Sequence, residues 1–231
     1  YLCLENAELA PRLMNVLPDG GMLPAAIEIT LPASMTVIPF GTGEATAAAH
    51  NNDGTTTWRY QDNGAGGILY AGDYIRQDIE AGGISVEFYY GRRHQAVMEA
   101  ADAAGAVKAV ADYCTEHYGA LTFAAGGSLK LIQSRVSGGG YATGGASLLD
   151  EADFTAANLN NQSKGAVPGE VMIHELVHQW WGLGNMFDSS DETDAWSAEG
   201  LTVYTTYRIV KELYGEDYAR QYYVDQWQQA V

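Results

Sequence analysis

The chain has 231 residues, with 12 Lys and Arg against 29 Asp and Glu and a net charge of -17. Because such a surface repels phosphate backbones and anionic membranes, the composition argues against nucleic-acid binding. The sequence has no apolar run as long as a membrane span, no cleavable signal at Tyr1 and no initiator Met, so we expect a processed chain or a piece of a longer protein.

The first 91 residues predict an antiparallel β module. Short runs rich in β-branched and aromatic residues alternate there with turn signals such as Gly82-Gly83. The predicted strands cover 1–4, 26–31, 35–40, 55–60, 67–70, 74–79 and 84–90. This segment contains His50 but no cluster of catalytic residue types, so we expect a scaffold or docking surface.

Beyond Gly91 the pattern changes to that of a helix. Apolar residues recur at spacings of three and four from Val97 to Tyr118, which predicts one long amphipathic helix ending at Gly119. Strand predictions follow at 129–136 and at 146–149, and we expect the second of these to lie at a sheet edge. An extended peptide can add to the free backbone groups of such an edge.

The two cysteines, Cys3 and Cys114, are too few for a disulfide framework. Their pattern favours two buried thiols, and it leaves a single disulfide as the open alternative.

The segment Glu170–Gly182 reads EVMIHELVHQWWG and contains H-E-x-x-H as His174, Glu175 and His178. Residues four apart on a helix share one face, so the two imidazoles can converge on one cation with Glu175 beside them. Most other positions in this segment are apolar, which indicates a buried helix. Because buried polar side chains need partners, the pattern predicts a zinc hydrolase site with one Zn²⁺ per chain.

Catalytic zinc usually takes three protein ligands and keeps a fourth position for water. We predict Glu199 as the third ligand, because it lies early on the next predicted helix, 195–214, among small and apolar residues. Glu192 and Asp194 are the alternatives, within an acidic run that otherwise has the character of a solvated loop. Glu175 is predicted to take a proton from the zinc-bound water and to pass it to the leaving amine. A final helix is predicted at 217–230.

These motifs carry a resemblance to a known family. The stretch from His174 to Gly182, HELVHQWWG, with Trp196-x-x-Glu199-Gly200 after it, resembles the aminopeptidase N family of gluzincin metallopeptidases, whose motif commonly reads HELAHQWFG and then WLNEG. Weaker likeness extends upstream to Ile29-x-Leu31-Pro32 and Ala71-Gly72-Asp73-Tyr74. The resemblance implies an α+β fold: an antiparallel β-sandwich module at 1–91, followed by a thermolysin-like, mixed α/β catalytic domain at 92–231.

The same resemblance implies zinc as cofactor and peptides as substrates. It places the substrate-binding strand at Gly140, Tyr141, Ala142 and Thr143, where the family carries G-x-M-E-N with a Glu that binds the free amine of the substrate. No Glu occurs in this chain between that stretch and Glu151, so aminopeptidase specificity is not expected. The spacing between His178 and Glu199 is slightly longer than is usual in the family, and the oxyanion-stabilising Tyr is expected beyond Val231.

The sequence therefore predicts a zinc metallopeptidase domain that acts on peptides. The alternative is a zinc-containing peptide-binding or sensing module of low activity within a larger, membrane-attached polypeptide. By analogy with the family we expect an extracytoplasmic or cell-surface location.

Overall fold

The computed structural model describes residues 2–4, 25–39, 43–62, 69–121, 128–135, 139–154, 170–184 and 196–230. The chain has an α+β fold that divides into two compact units, Tyr1–Ile75 and Arg76–Val231. Within the described ranges, no helix combines the length and the apolar character that crossing a bilayer demands.

The first unit consists of antiparallel strands in two three-stranded sheets, with the orders β1-β6-β3 and β2-β5-β4. Apolar side chains from the two sheets pack against each other, with Val37, Leu69 and Ala71 from one and Tyr60 and Trp58 from the other. This is the predicted β-sandwich arrangement. Its strands are β1 Leu2–Leu4, β2 Ala25–Pro32, β3 Thr36–Pro39, β4 Thr46–His50, β5 Thr55–Asp62 and β6 Leu69–Gly72. Strand β4 was not predicted, because its Ala-rich sequence is exposed throughout and shows no alternation.

The second unit contains a mixed five-stranded sheet with the order β10-β11-β9-β8-β7. Strands β8, β9 and β11 are parallel to one another, and β10 pairs antiparallel with β11. Every residue of β9 is buried, as expected for a strand in the middle of a sheet covered on both faces. The strands are β7 Tyr74–Ala81, β8 Ile84–Gly91, β9 Leu129–Ser134, β10 Gly140–Thr143 and β11 Ala146–Asp150.

Two sequence-based expectations change with this sheet. Strand β8 pairs with β9, and β7 lies beside β8 in the same sheet, so the division between units lies at Ile75 rather than after residue 91. The segment 146–149 is not at the edge, because β11 lies between β9 and β10. Among the described strands the sheet ends at β10 on this side and at β7 on the other, and β10 holds all four residues predicted to bind substrate.

Helices of this unit pack against the sheet and position the site. They are α1 Gln95–Ala100, after a 3₁₀ turn at Arg92–His94, α2 Ala103–Tyr118, α3 Glu170–Val177, α4 Leu201–Tyr214, α5 Glu216–Ala219 and α6 Asp225–Gln229. A 3₁₀ turn at Glu151–Phe154 and π-helical turns at Trp196–Gly200 and Arg220–Val224 complete the described elements. Helices α2, α3 and α4 pack on one another, and α3 also contacts β10 and β11.

The single long helix predicted from Val97 to Tyr118 is interrupted at Asp102. This residue has a left-handed backbone (φ 50°), and its carboxylate accepts a hydrogen bond from the Gly105 N–H, which makes it the N-cap of α2. The helix ends at Tyr118 as predicted, with Gly119 at a φ of 92°. The thiol of Cys114 is buried and free, as the cysteine pattern favoured.

The turn between β7 and β8 provides a test of how α2 is held against the sheet. Gly82 and Gly83 both have positive φ, but only at Gly82 would an added Cβ collide with α2, at 2.3 Å from the Ala111 carbonyl oxygen. We expect Gly83→Ala to cost about 1–2 kcal/mol of unfolding free energy from backbone strain alone. Gly82→Ala should cost about 1–3 kcal/mol more, because the turn must move off the helix. Urea unfolding of the two variants measures the difference, and equal losses would contradict this account.

Candidate active site

The two histidines of H-E-x-x-H lie at the end of α3 with their rings facing each other. The His178 N–H donates to the His174 carbonyl at 3.1 Å, so His178 keeps helical register although the regular helix ends one residue earlier. Their Nε2 atoms are 3.1 Å apart and the ring planes are perpendicular, at 89°. The sequence pattern predicted this convergence, and it follows from the pitch of the helix.

Glu199 reaches both rings from the neighbouring segment. One of its carboxylate oxygens lies 3.3 Å from His174 Nε2 and the other 3.5 Å from His178 Nε2. The residue belongs to the π-helical turn Trp196–Gly200, a type of distortion that is frequent at functional sites. One ligand atom from each of the three residues lies within 4.8 Å of the others.

Gly182 allows the two segments to approach this closely. It has a φ of 89°, and an added Cβ would lie only 3.0 Å from the Ala198 side chain, next to Glu199. A larger residue would strain the backbone and separate the carboxylate from the imidazoles. The sequence shows this glycine within the predicted helix, but its backbone conformation requires the structure.

The Nδ1 atom of His178 fixes which nitrogen faces the cluster. It lies 3.2 Å from the Trp181 carbonyl oxygen and 3.2 Å from the Thr202 hydroxyl. Because a carbonyl only accepts hydrogen bonds, Nδ1 carries the proton, and Nε2 presents its lone pair to His174 and Glu199. Such a carbonyl partner is the usual orienting group behind a metal-binding histidine.

The donor set fits a zinc ion. Burial and the neighbouring His178 lower the pKa of His174, so its imidazole is held in the neutral form that binds metals, while the nearby Glu199 charge acts in the opposite direction. Two neutral imidazoles and one carboxylate are a ligand set of catalytic zinc, which leaves one position for water. Among the described residues this is the one group of three or more potential metal ligands, and the alternative ligands Glu192 and Asp194 lie outside the described ranges.

Glu175 is beside the cluster and not part of it. Its side chain is buried, with 6% of the residue exposed, and burial together with the Glu199 charge raises its pKa to about 7. A bound cation opposes that shift, because positive charge favours the carboxylate. A carboxyl group whose pKa lies near neutrality can accept and release a proton near neutral pH, which is what a general base requires.

An open cleft of about 420 Å³ connects these groups to the edge strand β10. The residues that line it come from β10, from α3 and the turn after it, and from the π-helical turn: Gly140, Tyr141, Ala142, His174, Glu175, His178, Gly182, Leu183, Ala198 and Glu199. Three of the four predicted substrate-binding residues thus border the cleft. The fourth, Thr143, is instead held by its carbonyl oxygen, which accepts a hydrogen bond from Gln179 at 2.9 Å.

The sequence did not lead us to predict two side chains, Gln179 and Ser147, whose hydrogen bonds join the β10–β11 hairpin to α3 and the turn after it. Both are polar residues in apolar surroundings and both are fully buried, which is the signal that could have identified them.

Comparison with known proteins adds a family match. A model of the peptidase family M1 domain matches residues 114–231, just over half of the chain. Leucine aminopeptidase 2 of Emericella nidulans is 40% identical over 65 residues, which cover 28% of this chain and 10% of that protein.

Solved structures of M1 zinc metallopeptidases have the same fold. A mutant from Deinococcus radiodurans bound to a Tyr-Ser-Ala substrate superposes with a TM-score of 0.53 at 20% identity. A two-domain M1 zinc metallopeptidase mutant bound to L-tryptophan gives 0.54, also at 20% identity. Each match covers 91% of this chain and 46% of the other, so the chain spans less than half the length of these structures.

The arrangement of His174, His178 and Glu199 leads to a prediction of how zinc binding responds to loss of a ligand. Substitution of residues that hydrogen-bond to metal ligands typically weakens zinc binding roughly 10- to 100-fold, and we expect Glu199→Ala to weaken it by more than that. Glu212→Ala, which removes an exposed carboxylate from the following helix, should bind zinc like the wild type. Competition titration with a chromogenic chelator measures both, and equal affinities in the two variants would remove Glu199 from the ligand set.

Proposed function

The chain belongs to peptidase family M1, and we propose that it forms the zinc site and substrate strand of a metallopeptidase that hydrolyses peptide bonds. The observation that carries the proposal is the meeting of His174, His178 and Glu199, with the buried carboxyl group of Glu175 at their side. Each of these residues lies in the family-matched segment.

In this proposal His174, His178 and Glu199 hold one zinc ion. When bound, zinc acidifies a water molecule and polarises the carbonyl group of the substrate. Glu175 accepts the proton of the attacking water and transfers it to the nitrogen of the departing amine. Its burial supports this role, because a carboxylate screened from solvent is a stronger base and accepts a proton more readily than an exposed one.

Strand β10 supplies the peptide-binding surface. Among the described strands β10 pairs with β11 alone, and we expect the row of backbone groups on its other side to pair with an extended peptide. Gly140 places this row next to the reacting groups, since an added Cβ there would lie 2.7 Å from Glu175 Cγ. A peptide on β10 therefore runs past Glu175 at close range.

The described cleft supports peptide cleavage without a requirement for a free amino terminus. Its described lining contains two carboxylates, Glu175 and Glu199, and both have other roles in this proposal. The corresponding family Glu is replaced by small and hydroxyl residues in Gly140–Thr143. We propose a peptidase whose selectivity does not depend on binding the substrate's amine.

We expect Glu175→Gln to keep zinc and to lose about 10²- to 10⁴-fold in kcat/KM, the range that general-base catalysis contributes. The assay uses the zinc-loaded protein and a peptide library with free and acetylated amino termini, both of which the wild type should cleave. Glu116→Gln, on the exposed face of α2, is the matched control. If the zinc-loaded wild type cleaves no faster than Glu175→Gln, the chain is a zinc-containing peptide-binding module instead.

A second test uses the glycines of the β10–β11 hairpin. In Gly140→Ala the new methyl group meets the Leu148 carbonyl at 2.6 Å and the side chain of Glu175, so we expect kcat/KM to fall at least about tenfold through a misplaced base. Gly144→Ala places its methyl group in open space and should retain wild-type kinetics. Steady-state kinetics measure both variants. An equal loss of kcat/KM in the two would mean that any side chain in the hairpin lowers activity, and it would contradict a specific effect on Glu175.

A further inference from the structure

Gln179 makes a dense set of hydrogen bonds to the turn between β10 and β11. Its side chain is fully buried, and its Oε1 accepts from the Gly145 N–H at 3.1 Å. Its Nε2 lies 2.9 Å from the Thr143 carbonyl, 3.3 Å from the Ala146 carbonyl and 3.1 Å from the Ser147 hydroxyl. Because two carbonyls face one end of the amide and an N–H faces the other, the orientation of the amide is fixed by its partners.

The backbone after α3 explains why this side chain points at the hairpin. The Gln179 N–H donates to the Leu176 carbonyl, three residues back, so the last turn is tighter than a regular helix. Ser147 on β11 donates its hydroxyl to the Glu175 carbonyl at 2.8 Å. The hairpin is therefore joined to α3 at the general base and again immediately after the second histidine.

We propose that Gln179 is a positioning residue that fixes the register of strand β10 against the metal cluster and Glu175. The inference rests on the proposed peptidase function, and it extends that function to a residue outside the ligand set. Gln179 follows His178 directly, so one short segment holds a metal ligand with one residue and the substrate strand with the next. A displacement of the hairpin relative to the metal site is prevented by the amide.

Only an amide of this length satisfies the geometry. A glutamate would present an ionised oxygen to the Thr143 and Ala146 carbonyls, and a methionine would remove the hydrogen bonds that the amide makes to those carbonyls and to the Gly145 N–H. If β10 is displaced, a peptide that pairs with it is displaced by the same amount. A shift of about 1 Å in the scissile bond can cost about 10²-fold in rate.

The experiment compares two buried glutamines of the same unit in the zinc-loaded protein. Gln179→Met removes the contacts to the hairpin. Gln133→Met is the matched control, because Gln133 is also fully buried, lies on β9 and accepts from the Gly91 N–H at 2.8 Å. For Gln179→Met we expect kcat to fall at least about tenfold, with KM and zinc affinity within about threefold of wild type, because the peptide still binds but in a displaced register. For Gln133→Met we expect kcat to remain near that of the wild type at a temperature where the protein is folded.

A second readout needs no turnover. Hydrogen exchange of the backbone amides at 139–150 should accelerate at least about tenfold in Gln179→Met and remain unchanged in Gln133→Met. A zinc-binding dipeptide hydroxamate should bind Gln179→Met more weakly, because zinc fixes its hydroxamate group while its peptide part must pair with a displaced β10. Acetohydroxamate, which does not reach β10, should bind Gln179→Met and Gln133→Met equally. If Gln179→Met does not fold, Ser147→Ala, which removes one contact of the same set, should show the same changes at smaller size.

The outcomes separate this inference from the proposed function. Equal kinetic losses in the two glutamine variants, or unchanged exchange in the hairpin of Gln179→Met, would overturn the positioning role. A wild type that binds zinc but cleaves no peptide would overturn the proposed function. In that case the exchange and hydroxamate measurements still decide whether Gln179 sets the position of β10.

Discussion

The close approach of two imidazole nitrogens and a carboxylate is the constraint around which the second unit is arranged. The two Nε2 atoms are 3.1 Å apart and largely removed from solvent, an arrangement that is unfavourable for two protonated rings and favourable around a shared cation. Holding these atoms in place requires that α3 and the segment of Glu199 stay in contact. Gly182 permits that contact, and the remaining elements maintain it.

The supports of α3 come from four parts of the unit. Trp180 donates its indole N–H to the Gly119 carbonyl at the end of α2, at 2.9 Å, and Trp181 donates to the Thr205 hydroxyl of α4, at 3.0 Å. At the start of the helix, the Tyr223 hydroxyl donates to Glu170 at 2.8 Å. The fourth support is the hairpin bound by Gln179. Each link uses a polar group of a largely apolar segment, so the helix is fixed in rotation as well as in position.

The sequence was sufficient for features that depend on local geometry. The pairing of His174 and His178 follows from helix periodicity, and the end of α2 follows from a glycine after a regular apolar pattern. Glu199 was predicted as a partner because a carboxylate among small and apolar residues needs a cation, and the structure places it beside both rings. Its role as a ligand remains a prediction until metal binding is measured.

Features that depend on contacts between distant parts of the chain could not be predicted from local sequence patterns. The parallel pairing of β8 with β9 joins residues about forty positions apart, and it moves two strands from the first unit to the second. The same pairing leaves β10 rather than β11 at the edge. The role of Gln179 was hidden for a related reason, because its partners lie more than thirty residues earlier and its direction depends on a tightened turn.

The position of β10 at an edge of the sheet bears on aggregation as well as on substrate binding. An edge strand of a folded protein brings its own neighbouring strand with it, about 4.8 Å away, and so needs a wider space than a single extended chain. Strand β10 is only four residues long and faces α3 across the cleft. A short edge that faces a helix leaves few backbone groups for the edge of another sheet, which is one way in which folded proteins limit edge-to-edge aggregation.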